Sequence, residues 1–241
     1  MAMGASRLTA LGGLFCMVKP MPVSYRQIAG VSLERLAALS DGIFAVAMTL
    51  LVLGLSVRVS PALQPARPLW APGAVTSEHV VWDVLRGLAP HLLTYLMSFL
   101  TLGIFWVGQQ TQLNHFSRSD RDLTWIHLVF LLGVMLMPFS TTLLADYITY
   151  RLAVAVYWLN IVLLGALLYA SLRYARRARL IKEGVTAEMT AASERRIIFY
   201  QVLYAFGALL SVFSTYVCIA FIFAAQLNAA IAPRIWLLDR F

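Results

Sequence analysis

Residues 36–57, 88–113, 123–145 and 152–174 each form a predominantly apolar stretch of more than 20 residues, and 197–231 forms one of 35. Crossing about 30 Å of hydrocarbon takes roughly 20 such residues in an α-helix. Hydrocarbon offers no water to the backbone, so apolar runs of this length cross as helices. The fifth stretch is too long for one crossing and predicts two short ones, broken near 211–214. The fold class predicted is an all-α membrane protein with six transmembrane helices. Composition agrees: 61% of residues are hydrophobic and 12% charged, against about 45–50% and 25% in soluble domains. A soluble enzyme, a disordered tail and a DNA-binding module are excluded on this ground.

The net charge of +8 suggests nucleic acid until the charges are placed. Fifteen of the 19 Lys and Arg lie before the first span, between the second and third, between the fourth and fifth, or after the last. Arg58, Arg67, Arg86 and Arg151 make up the other side. The asymmetry predicts that both termini are cytoplasmic; the basic excess orients the chain in a cell membrane and is no nucleic-acid surface. Pro61, Pro65, Pro68 and Pro72 predict an extended external connection between the first two spans. The domain reading is an N-terminal extension over 1–32, expected to be disordered, a six-helix transmembrane domain over 33–232 and a tail over 233–241. Cys16 and Cys218 lie far apart in apolar runs and imply no disulfide framework.

Asp41 is the one acidic residue inside a predicted span. It lies about 9 Å deeper along the helix axis than Arg35. A lone charge there costs about 2.5–3.5 kcal/mol even on the lenient insertion scale, so it calls for partners. The predicted orientation places Trp106 and Gln109 of the second span, and His127 of the third, at the depth of Asp41 and Ser40. Arg35 and Asp41 point about 240° apart on an ideal helix, so Arg35 is expected to contact another helix. The expectation is a polar knot joining the first three helices. Packing glue and a proton relay are both open readings of it, glue being the commoner. His79, His91, His115 and His127 lack a metal-ligand spacing. No metal and no catalytic residue is predicted.

In the first span Leu39, Ile43, Val46, Leu50, Leu53 and Val57 recur at steps of four and three, the spacing of a supercoiled seam. Thr49 lies on its flank. A second face carries Ala38, Ser40, Asp41, Gly42 and Ala45, small enough for close helix approach. In a symmetric oligomer the seam can surround an axis and gate by dewetting; on spacing alone, ordinary core or lipid-facing surface is the commoner use. The arginines around Arg176 read as an anchor to anionic headgroups. Pro138 predicts a kink in the third helix. The sequence has no TVGYG filter, no phosphate-binding glycine loop and no nucleophile–base pair of recognisable spacing.

Residues 35–53, RLAALSDGIFAVAMTLLVL, resemble the first-helix signature of the transmembrane protein 175 family of potassium channels. The likeness extends over most of 33–231, through Phe105-Trp106, the segment Met137-Pro138-Phe139-Ser140-Thr141 and Tyr157-Trp158-Leu159-Asn160. Two departures stand out. Leu39 replaces the usual Phe before Ser-Asp, and the family's second-helix His is Gln109, with His127 standing where the third helix usually carries Asn.

The resemblance implies a potassium-permeable channel in which a homotetramer surrounds a pore lined by the first helix. Carried over by position, Val46, Leu50 and Leu53, with Ile43 in the same lining, match constriction rings. Thr49 matches the hydroxyl ring that favours potassium. Arg35, Ser40, Asp41 and Trp106 match the network holding the first helix, with Gln109 and His127 beside them. The implied partners are further copies of the chain and membrane lipids. No cofactor is implied beyond the permeant potassium ion. Two other classes stand beside this one: a proton-coupled secondary transporter using Asp41, and a non-conducting membrane scaffold subunit. An enzyme is not expected.

Overall fold

The computed structural model describes residues 32–55, 70 and 74–231. Most of the predicted extension, the prolines of the first connection, Val57 and the predicted tail lie outside the described residues.

Helix α1 (Leu33–Leu53) opens on Ser32, whose hydroxyl accepts the Arg35 N–H at 3.4 Å. Glu34 in its first turn sits at the positive end of the helix dipole. Leu36, Ser40, Phe44, Ala47 and Leu51 are buried, one stripe at steps of three and four.

Helix α2 (Ala74–His115) has 42 residues, about 63 Å at 1.5 Å per residue and so twice the hydrocarbon thickness. It starts well before residue 88, where the apolar pattern begins. Hydropathy marks only the part of a helix that lipid would cover. The stretch with Glu78, Asp83 and Arg86 is too polar to register as a span yet belongs to the same helix.

The third apolar stretch is two helices, α3 (Arg121–Met135) and α4 (Met137–Asp146), with Pro138 in the first turn of α4. The interruption frees backbone groups inside the bundle, where water cannot serve them. Asn160, from the next helix, meets them. Oriented so that its oxygen faces a donor and its nitrogen an acceptor, the amide accepts from the Met137 N–H at 3.3 Å and donates to the Gly133 carbonyl at 3.2 Å. Asn160 thus stands in for the lost helical bond. Asn160→Leu, of similar size, is expected to orphan both groups and cost about 1–3 kcal/mol, read as a lower melting temperature in detergent; unchanged melting would refute the role.

Helices α5 (Arg151–Arg177), α6 (Ala187–Leu210) and α7 (Thr215–Ile231) complete the bundle. The turn between α6 and α7 occupies 211–214. Among the described residues, four helical segments are long and apolar enough to cross a membrane: Leu33–Leu53, Trp82–His115, Arg121–Asp146 and Arg151–Arg177. Helix α7 is apolar but shorter.

Helix α5 is the hub, packed against α2, α3, α4 and α6. Phe44, Phe105, Phe130, Tyr157 and Ile222, from five helices, share the main core cluster. At one end the start of α1, the end of α2, the start of α3 and the end of α5 meet over Leu36, Leu113, Phe116, Leu123 and Leu172. There the Ser117 N–H donates to the Leu180 carbonyl at 2.8 Å and the Lys182 N–H to the His115 carbonyl at 2.9 Å, pinning two connections together. Arg118, Arg121, Arg173, Arg176, Arg177, Arg179 and Lys182 all belong to this end, the basic end of the bundle.

Candidate functional site

Helix α1 presents three kinds of face. At 100° per residue the buried stripe is centred about 100° from the aliphatic seam. The seam is therefore turned away from the protomer's own core. Val46 is 51% exposed and Leu53 71%, with Leu39 and Leu50 also exposed and Ile43 half-buried. Packing among the described residues of one chain leaves this row of branched side chains largely uncovered. On its flank, the Thr49 hydroxyl donates to the Val46 carbonyl at 2.8 Å. That bond takes up its one proton, leaving the oxygen lone pairs free to accept.

The polar residues divide into two groups rather than one. Outside, an Asp41 carboxylate oxygen accepts from the Trp106 indole N–H at 2.8 Å and from the Gln110 amide at 2.6 Å. Inside, the Gln109 amide donates to the Ser40 hydroxyl at 3.0 Å and lies 3.2 Å from His127 Nδ1. With Nδ1 as acceptor, the ring proton sits on Nε2. Ser40, Gln109 and His127 are fully buried and link α1, α2 and α3. Among the described residues Gln109 Oε1 and His127 Nε2 have no partner.

The division follows from helix geometry. Ser40 and Asp41 are adjacent and so diverge by about 100°; one turns into the bundle and the other along its surface. Gln110 is four residues past Trp106 and therefore lies nearer its face than Gln109 does. The spacing of Trp106 and Gln110 is the signal that would have found this second partner of Asp41. Arg35 joins neither group: among the described residues it forms no side-chain hydrogen bond or ion pair.

A second buried network lies nearer the middle of the bundle. The Tyr157 hydroxyl accepts from Ser98 at 3.3 Å and lies 3.2 Å from the Thr101 hydroxyl. Thr141 donates to Ser98 and Gln226 to Thr101, both at 2.6 Å, so α2, α4, α5 and α7 are tied together. Ser98 and Thr101, three apart on one face, and the lone Gln226 in an apolar run are its traces in the sequence. Among the described residues, no group of three or more His, Cys, Asp or Glu side chains converges as metal ligands would.

An intramembrane carboxylate held by side chains of a neighbouring helix, within a bundle of helices long enough to cross lipid, defines a multi-pass helical membrane protein. Residues 35–138, the part of the chain holding both polar groups around α1, match the family model described as the endosomal/lysosomal potassium channel TMEM175. A potassium channel of Streptomyces collinus is 33% identical over 114 residues, 47% of this chain and 48% of that protein. A potassium channel of Chamaesiphon minutus is 32% identical over 126 residues, 51% of this chain and 56% of that protein. The matched part of the chain spans about half the length of these curated relatives. Similarity in structure runs further: the crystal structure of a lysosomal potassium-selective channel TMEM175 homolog from Chamaesiphon minutus superposes with a TM-score of 0.65 at 25% identity. That superposition covers 83% of this chain and 96% of the other. The chain is thus similar to the TMEM175 family over residues 35–138, and similar in fold to that solved homolog over most of its length.

Proposed function

We propose that this chain is a potassium channel in which α1 from each of four copies lines a central pore. The observation that carries the reading is the seam. A transmembrane helix that keeps its most regular aliphatic row away from its own core has that row free for a symmetry axis. Val46, Leu50 and Leu53, with Ile43, would then form successive rings narrow enough to exclude water when closed. The names of the relatives support potassium as the permeant ion.

In this reading residues 33–232 form one channel domain of six spans, α3 with α4 counting as one and α6 and α7 as two short ones. Both termini lie on the cytoplasmic side with the basic end. No carbonyl-lined filter takes part. Thr49 supplies the polar ring: its proton is held by the Val46 carbonyl, so the outward lone pairs meet a passing cation. Ser40, Asp41, Trp106, Gln109 and His127 hold α1 at its depth and rotation, which sets what the pore presents.

The deciding experiment is potassium flux in liposomes reconstituted with purified protein. A potassium gradient is expected to drive counter-ion uptake, whereas a scaffold would give none and a proton-coupled transporter would need a pH gradient. Thr49→Val, which replaces the hydroxyl at nearly equal size, is expected to lower the preference for potassium over sodium while conduction persists. Thr49→Ser should keep it. A Thr49→Val channel as selective as the parent would place selectivity elsewhere.

A further inference from the structure

Behind α1, on the side away from the seam, a cleft of roughly 720 Å³ opens between α1, α2, α5, α6 and α7. Ala45 and Met48 of α1 line it and project about 180–240° from the seam. Phe99, Gly103 and Ile104 of α2 form the facing wall. A Cβ added at Gly103 would meet nothing within 4 Å, so the space reaches the α2 backbone itself. The walls are mainly apolar and the volume falls among ligand-sized pockets.

One end of the cleft differs in kind. Ser193 and Arg196 of α6 line it at the basic end of the bundle, where Arg195 follows Glu194 in the same turn. The carboxylates nearby are engaged. Glu194 pairs with Arg176 at 2.9 Å and with Arg173 at 4.0 Å, and Asp41, which also lines the cleft, is hydrogen-bonded by Trp106 and Gln110. Arg196 lies over the Tyr200 ring at 6.0 Å and among the described residues has no carboxylate partner. The result is a mainly apolar slot that ends on a guanidinium with no carboxylate partner among the described residues.

We propose that this cleft binds one anionic phospholipid, with an acyl chain in the slot and the phosphate on Arg196. The complementarity is of two kinds at once: apolar wall to hydrocarbon, and guanidinium to phosphate at the end where the bundle concentrates its basic residues. A chain seated there backs α1 on the side opposite its seam. The proposal rests on membrane residence and the cleft alone, so it stands or falls independently of conduction.

Native mass spectrometry of the full chain in detergent, with dioleoyl phosphatidylglycerol or dioleoyl phosphatidylcholine added, tests it. Phosphatidylglycerol is expected to be retained at one per chain in preference to phosphatidylcholine. Arg196→Gln should reduce that preference by about fivefold, the worth of one basic residue facing an anionic headgroup. Gly103→Phe, which fills the slot from α2, should lose the retained lipid; Ala45→Phe, which fills it from α1, serves if Gly103→Phe does not fold. Equal retention of the two lipids, or retention unchanged with the slot filled, would overturn the proposal. So would efficient crosslinking of Gly103→Cys between chains, which would show a second copy seated in the cleft.

Discussion

Potassium flux through reconstituted Asp41→Ala protein is expected to fall at least tenfold, to the level of empty liposomes if α1 loses its seat. Asp41 is where α1 is clasped from α2: one carboxylate oxygen receives both the Trp106 indole and the Gln110 amide. Removing it leaves the Trp106 and Gln110 donors without their acceptor, at about 1–3 kcal/mol for each donor that hydrocarbon would then surround. The buried Ser40–Gln109–His127 chain would remain, holding α1 to the bundle while its rotation is no longer set from outside. Asp41→Asn keeps an acceptor oxygen of the same size and is expected to retain part of the flux. Crosslinking separates loss of conduction from loss of assembly. An Asp41→Ala protein that assembles and conducts like the parent would remove the clasp from the mechanism.

Val46→Ala is expected to act in the opposite direction, with single-channel conductance raised severalfold and potassium preference lowered. Val46 is 51% exposed in the protomer and touches no core cluster, so its truncation should change stability by no more than about 0.5 kcal/mol. A conductance change would therefore report the pore and not the fold. In the proposed tetramer the substitution would widen a constriction whose barrier arises from excluding water, and such barriers fall steeply with radius. Valine is smaller than leucine or isoleucine, so in the proposed pore this ring would be wider than those of Leu50 and Leu53. Conductance and selectivity both unchanged would place the narrowest ring at Leu50 or Leu53.

The two substitutions draw on features of unequal visibility. The seam around Val46 was open to inspection in the spacing of branched residues, because a helix repeats every 3.6 residues whatever surrounds it. So were the breaks at Pro138 and at 211–214, where a missing N–H or an overlong apolar run forces an interruption. The depth of Asp41 followed from counting along its helix. Its partners did not follow completely. Depth and face point to Trp106, whereas the role of Gln110 depends on which of two adjacent amides turns toward Asp41.

The start of α2 at Ala74 escaped a reading based on hydropathy because lipid selects apolar residues, whereas helix formation continues into polar sequence beyond it. Asn160 and Gln226 were legible only as polar residues in apolar runs; that one replaces a lost backbone bond and the other meets Thr101 depends on which helices are neighbours. The sequence by itself determined where the apolar helices run and which residues share a face, since these follow from local geometry and from the length a membrane crossing requires. Which face meets which neighbour, and which face is left bare, was decided only by the packed bundle. Those choices depend on helix crossings and close contacts between residues more than 60 positions apart, such as Asp41 and Trp106, and no local period encodes them.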